Sequence, residues 1–266
     1  MTVLKILAWI FVAVLLYTVS QFTTLIYDLL NFQKKPLERS SLIVREILQE
    51  AVFTFISLIT YIFGFINYDS LFMKKEQTKH PPVLLVHGYM MNRACFIYMH
   101  IRLVLDGFRV FTVNLYPPAL SITRLSERVA DKMDELAEKT REKQVYVIGH
   151  SMGGLVSRYY GNSPRGVGRV KKLITIASPH KGTRLAVLGI GKNAREMVPG
   201  SVFLNELNSK PIPPVYAIWS TLDNMIIPPE NAYMDGMSNA PVPLKGHIAM
   251  LFSNTVYRHI LSVLTD

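Results

Sequence analysis

A single cysteine, Cys95, stands in the 266 residues. One thiol excludes an internal disulfide and any metal cage built from several cysteines, and it leaves the redox compartment open. Charge is scarce as well. Asp, Glu, Lys and Arg make up 18% of the chain, against about 25% in ordinary soluble domains. A wholly soluble chain is therefore disfavoured. The sequence has no internal repeat, no low-complexity tract and no cluster of acidic residues of the kind that holds calcium. No helix-turn-helix, zinc-finger or RNP-like pattern accompanies the basic residues, which are scattered rather than striped. Nucleic acid is not expected as a partner, and neither a metal nor a cofactor is expected.

Apolar residues are what the chain has in abundance. They make up half of it, and the mean hydropathy is +0.23. That excludes disordered, collagen-like and disulfide-scaffold classes. The net charge is +10, and residues 80–266 carry 21 Lys and Arg against 13 Asp and Glu, so +8 of the excess lies there. The excess favours solubility and attraction to anionic surfaces.

The first eighty residues read as membrane. The 22 residues between Lys5 and Asp28 bear no charge, and neither do the 18 between Glu50 and Asp69. A helix needs about 20 apolar residues to cross a bilayer. Tyr17, Tyr27, Tyr61 and Tyr68 fall near the ends of these stretches, where amphipathic rings favour the headgroup layer. The first stretch also fits a signal peptide, though it lacks an Ala-x-Ala site. The second also fits a core or interfacial helix. The expectation is one or two membrane helices. Lys34, Lys35, Arg39 and Arg45 lie between the stretches, against Lys5, Lys74, Lys75 and Lys79 outside them, which leaves the orientation undecided. Pro81-Pro82 follows a short polar linker, Lys74 to His80. The boundary is placed near residue 78, giving an anchor region over 1–78 and a second domain over 79–266.

That second domain alternates strand and helix. Val83–His87, Arg109–Val113, Val145–Ile148, Leu173–Ala177 and Val215–Trp219 read as short buried strands. Cys95–Asp106, a helix carrying Ile122, Leu125, Val129, Met133 and Leu136 on one face, about Gly153 to Tyr160, and Met250–Leu264 read as helices. The fold class is α/β: a mostly parallel sheet flanked by helices. Ligands of such sheets bind at the C-terminal edge of the strands.

One motif dominates. Gly149-His150-Ser151-Met152-Gly153 is G-x-S-x-G, set between a predicted strand and a predicted helix. A serine there sits on a sharp turn that pushes its hydroxyl out at the sheet edge, beside helix N-terminal amides that favour developing negative charge. Serine needs a base. Of seven histidines, His150 is inside the turn, His87 and His180 read as loop-shaping, His80 and His100 have no partner signal, and His259 lies late on a helix. His247 lies in a loop before the last helix, within reach of the strand ends. Asp223, directly after a strand, is preferred as its orienting acid over Glu230 and Asp235. The backbone N–H groups of Met152 and Tyr89 are the expected oxyanion donors.

These residues resemble α/β-hydrolase-fold serine lipases and esterases, especially small bacterial triacylglycerol lipases. The resemblance rests on Val86-His87-Gly88, Gly149 to Gly154, Ala177-Ser178-Pro179-His180-Lys181-Gly182-Thr183, Asp223 with Ile227-Pro228, and Gly246 to Leu251. It implies a Ser151–Asp223–His247 triad with Tyr89 and Met152 as oxyanion donors. The two N-terminal stretches lie outside that pattern. The span from Gly182 to Pro214 is short, which implies a minimal or absent lid. The expectation is a membrane-anchored serine ester hydrolase acting on lipid or other acyl esters through an acyl-enzyme. An acyltransferase or thioesterase with the same triad is the nearest alternative, and a non-catalytic hydrolase-fold scaffold the remote one. Acyl length, membrane face and oligomeric state stay open.

Overall fold

A computed structural model describes residues 3–34, 40–69, 80–211 and 213–266. The boundary near residue 78, and Lys35, Arg39, Lys74, Lys75 and Lys79, lie outside the described residues. Two long helices come first, α1 (Val3–Asn31) and α2 (Ser40–Thr60), the latter running on into a 3-10 turn, Tyr61–Phe65. Then follow β1 (Val83–Val86), α3 (Ile97–Leu105), β2 (Val110–Val113), α4 (Ile122–Thr140), β3 (Val145–His150), α5 (Met152–Gly161) and β4 (Val170–Ile176). Two short helices, α6 (Lys192–Glu196) and α7 (Val202–Ser209), precede β5 (Val215–Ser220), β6 (Ser238–Val242) and α8 (Asn254–Thr265).

The six strands form one parallel sheet in the order β2-β1-β3-β4-β5-β6. Strand side chains alternate between faces, and both faces are covered. Leu84, Val86, Val147, Leu173 and Ala217 share a core with Ile122, Leu125, Val129 and Met133 of α4 and Leu155 of α5. Val83, Leu85, Ile148, Ile174 and Ile218 share the other with Met99 and Leu103 of α3 and Tyr257 and Ile260 of α8. This double burial is why β1 to β5 read as continuous apolar runs. The sixth strand, Ser-Asn-Ala-Pro-Val, was not expected. It pairs only with β5, where an edge position tolerates Pro241. The register sets Val86 opposite Gly149, His150 opposite Ile176, and Ile176 opposite Ile218. The C-terminal ends of β1, β3, β4 and β5 therefore meet along one edge.

The N-terminal helices form an antiparallel hairpin. Phe11 meets Phe55 edge-on at one end, ring centroids 5.4 Å apart, while Phe22, Leu25 and Leu29 cluster with Ile43 at the other. That second cluster also contains Leu222 and Ile227, with Leu185 and Leu244 packed on it. The hairpin is thus docked on the sheet domain and is not a free-standing appendage. Polar residues on the docked faces make the contact specific. Asp28 pairs with Arg184, and Glu46, fully buried, pairs with Lys245 at 3.1 Å. At the other end Val3, Leu4, Trp9 and Leu16 on α1, and Leu58, Ile62, Phe63 and Phe65 on α2 and its turn, are exposed, while the turn's backbone is tied to the sheet domain: the Tyr61 and Gly64 carbonyls accept from the Asn92 and Asn114 side-chain amides at 2.7 and 2.8 Å.

Candidate active site

Ser151 stands at the corner between β3 and α5 with φ 54° and ψ −127°. A non-glycine residue in the positive-φ region costs about 1–3 kcal/mol, and here the surroundings enforce it. The Ser151 N–H donates to the Ile176 carbonyl at 2.8 Å, and its own carbonyl accepts from Gly154 N–H at 3.0 Å. A Cβ on Gly153 would stand 2.1 Å from the Val86 carbonyl oxygen, so α5 can lie this close to β1 only with glycine there.

His247 lies in the loop before α8, and both Asp223 carboxylate oxygens are 3.0 Å from its Nδ1. Asp223 is fully buried, and its Oδ1 also accepts the Met225 and Ile226 N–H groups at 2.9 Å. That fixes the carboxylate and places the imidazole proton on Nδ1, leaving Nε2 as the basic nitrogen. Burial acts against the imidazolium, but the Asp223 charge and hydrogen bond, together with the charge of Glu50, outweigh it and hold His247 above the ordinary histidine value. The rival acids lie elsewhere. Asp235 is exposed and pairs with Lys181 at 2.8 Å, and Glu230 occupies the 3-10 turn Pro229–Ala232.

Ser151 and His247 line the same cavity, about 640 Å³ in volume. The loop after β1 runs alongside the serine: a Cβ on Gly88 would come within 2.9 Å of the Ser151 Cβ. Among the described residues, neither the Tyr89 nor the Met152 N–H donates to another protein group. Met152 directly follows Ser151, and Tyr89 lies on the loop after β1. The Tyr89 hydroxyl accepts from Ile190 N–H at 2.8 Å and donates to the Ile190 carbonyl at 2.7 Å.

The other histidines near the strand ends are neutral supports. His87 Nε2 accepts the Leu115 N–H at 2.8 Å, so its Nδ1–H donates to the Gly88 carbonyl, and burial pushes it down to about 4. His150, buried beneath the serine, is held well below the usual range by burial and by the His247 charge, their ring centroids 4.6 Å apart. His180 takes Arg158 on one ring nitrogen and Thr175 on the other.

Several residues here escape sequence reasoning. Asn224 accepts the His247 N–H at 2.9 Å and donates to Gln21 of α1 at 2.8 Å. Ser220 Oγ donates to the Lys245 carbonyl and accepts the Lys245 N–H, tying the acid's turn to the base's loop. Glu50 of α2 reaches the same loop. Tyr17, Gln21, Glu50 and Thr54 also line the cavity, so the hairpin is one of its walls. In the span where the sequence implies a minimal or absent lid, residues 182–211 form the 3-10 turn Arg184–Leu188 and helices α6 and α7, and Leu185, Leu188, Ile190, Ala194 and Met197 line the cavity. The helices that the sequence assigns to the membrane share the walling of the site with this segment.

The sequence profile of the alpha/beta hydrolase fold matches residues 81–210. This is an alpha/beta hydrolase fold. Solved structures agree. Lipase BlEst2 of Bacillus licheniformis in its mature form superposes with a TM-score of 0.65 at 15% identity, over 72% of this chain and 95% of that one. Lipase B of Aspergillus fumigatus gives 0.61 at 17%, over 71% and 53%. A bromoperoxidase of Bacillus anthracis gives 0.53 at 14%, over 71% and 94%. The chain thus shares its fold with proteins of different named activities, and its chemistry has to be argued from its own site.

Proposed function

We propose that this alpha/beta hydrolase is a serine ester hydrolase acting on lipid or other acyl esters. One observation carries the reading: a serine held at positive φ on the strand-end edge shares a cavity with a histidine whose far nitrogen is bound to a buried carboxylate. Ser151 Oγ attacks the ester carbonyl while His247 Nε2 takes its proton. The Met152 and Tyr89 N–H groups receive the oxyanion. His247 returns the proton to the leaving alcohol, and a water activated the same way then releases the acid from the acyl-serine.

The exposed apolar side chains at the Val3 end of the hairpin support a lipid surface as partner. Both helices are long and apolar enough to be candidate spans. Residues 3–16 of α1, ahead of the first residue that lines the cavity, give a reach of about 21 Å at 1.5 Å per residue, short of a hydrocarbon core of about 30 Å. Inserted from this end, the hairpin seats the rim of the basic sheet domain in the headgroup layer. The cavity that the hairpin walls then lies where apolar esters are concentrated.

The deciding experiment is product analysis with the detergent-solubilised full chain, mixed micelles of long-chain esters and an added alcohol. Free acid supports hydrolysis. Transfer to the alcohol favours the acyltransferase alternative, and no turnover of any ester refutes the proposal. The base also fixes a pH dependence. His247 must be neutral to work, and its pKa lies above the ordinary value. kcat/KM is therefore expected to fall in acid with a midpoint above about 6.5, as a pH–rate profile on a soluble ester will report.

A further inference from the structure

Glu50 is a buried carboxylate at the start of the uncharged half of α2, 1% exposed, and no cation pairs with it among the described residues. Burying a charge is costly unless hydrogen bonds satisfy it. Here two do. One oxygen accepts the Ile248 N–H at 2.8 Å and the other the Ala249 N–H at 2.7 Å, the two amides that directly follow His247. The loop is shaped to admit this carboxylate. A Cβ on Gly246 would lie 2.4 Å from its Oε2, so the residue before the histidine is glycine where the acid passes. One helical turn back, at the i−4 position on the same face, Glu46 grips Lys245. The loop 245–249 is therefore held on both sides of His247 by one face of α2.

We infer that Glu50 is a positioning residue for His247: through the two amides beyond the histidine it fixes the imidazole over Ser151, and reactivity at the serine consequently requires the hairpin to be docked. The inference rests on the proposed roles of Ser151 and His247. It adds a part that the triad and oxyanion donors do not contain, supplied by a helix outside residues 81–210, where the fold profile matches.

The groups facing the imidazole are Asp223 and Asn224 after β5, His150 at the β3–α5 corner, and Glu50 from α2. Those near Glu50 also include Tyr17 of α1, and Glu46 with Lys245 hold the loop beside it. Of the two carboxylates acting on His247, Asp223 does so directly and Glu50 from the side. Burial pushes the Glu50 carboxyl itself up to about 7, so it is only part-charged where His247 titrates; removing that partial charge lowers the pKa of His247 and moves the upper part of the acid limb to lower pH. A purely structural residue would not do this.

The test uses the full chain in detergent, with Glu50→Gln and Glu50→Ala compared to wild type. Glu50→Gln keeps the shape, but one of its two positions becomes a donor facing an N–H. Expected results are a fall in kcat of about tenfold or more with KM little changed, the scale of a lost charge-assisted pair, and slower fluorophosphonate labelling. Faster amide hydrogen exchange at Ile248 and Ala249 and an acid limb shifted downward are also expected. Wild-type kcat and exchange in a folded Glu50→Gln overturn the inference. If Glu50→Ala does not fold, Glu50→Gln alone decides. If the wild type hydrolyses no ester, the proposed function fails. The exchange at 248–249, and the His247 titration followed by NMR, then still decide whether Glu50 positions the imidazole.

Discussion

Ser151→Ala is expected to lower ester turnover by about 10⁴–10⁶-fold, the range seen when a nucleophile that acts as one unit with its base is removed. Labelling by a fluorophosphonate should vanish with it, while the thermal unfolding midpoint stays close to that of the wild type. The last point separates this variant from a misfolded one. The corner that carries Ser151 is maintained by main-chain bonds to Ile176 and Gly154 and by the absence of a side chain at Gly153, none of which the substitution touches. Retention of labelling would place the nucleophile elsewhere and remove the basis of the proposed function.

Removal of residues 1–66 is expected to be as damaging by another route. In many anchored enzymes the anchor can be cut away to leave a soluble catalytic domain. Here the cut would bare Leu222, Ile227, Leu185 and Leu244, leave Arg184 and Lys245 without Asp28 and Glu46, and open one wall of the cavity. It would also strip the His247 loop of the Glu50 and Gln21–Asn224 contacts. The expected product is an aggregating chain whose turnover in detergent is down at least about 10²-fold, since an ångström of misplacement costs that much. Size-exclusion chromatography and turnover on a soluble ester check it. A monodisperse, fully active fragment would show the hairpin to be only an anchor.

The sequence announces the sheet because strands buried on both faces must be apolar throughout, as Val83–Val86 and Val145–Ile148 are. It does not announce β6, whose Ser238, Asn239 and Pro241 carry no such pattern and which forms as an edge because β5 offers it a partner. Ser151, His247 and Asp223 are legible because a tight glycine turn and strand-end positions constrain which residues can meet. Glu50, Gln21 and Asn224 are not, since their partners are main-chain groups and amides about 200 residues away. A faint signal for Glu50 exists. Glu46 and Glu50, four apart at the edge of an apolar helix, are costly to leave in lipid and point to a protein face that must cover them.

The Tyr89 hydroxyl, joined to both the N–H and the carbonyl of Ile190, has one further consequence. The main-chain amide of that tyrosine is the proposed oxyanion donor, while Ile190 belongs to the strip between the Arg184–Leu188 turn and α6 that borders the cavity. Any swing of the strip away from the opening must either sever two bonds at once or drag the donor off its post. The rim of the opening and the proposed donor are thereby coupled through one phenol ring.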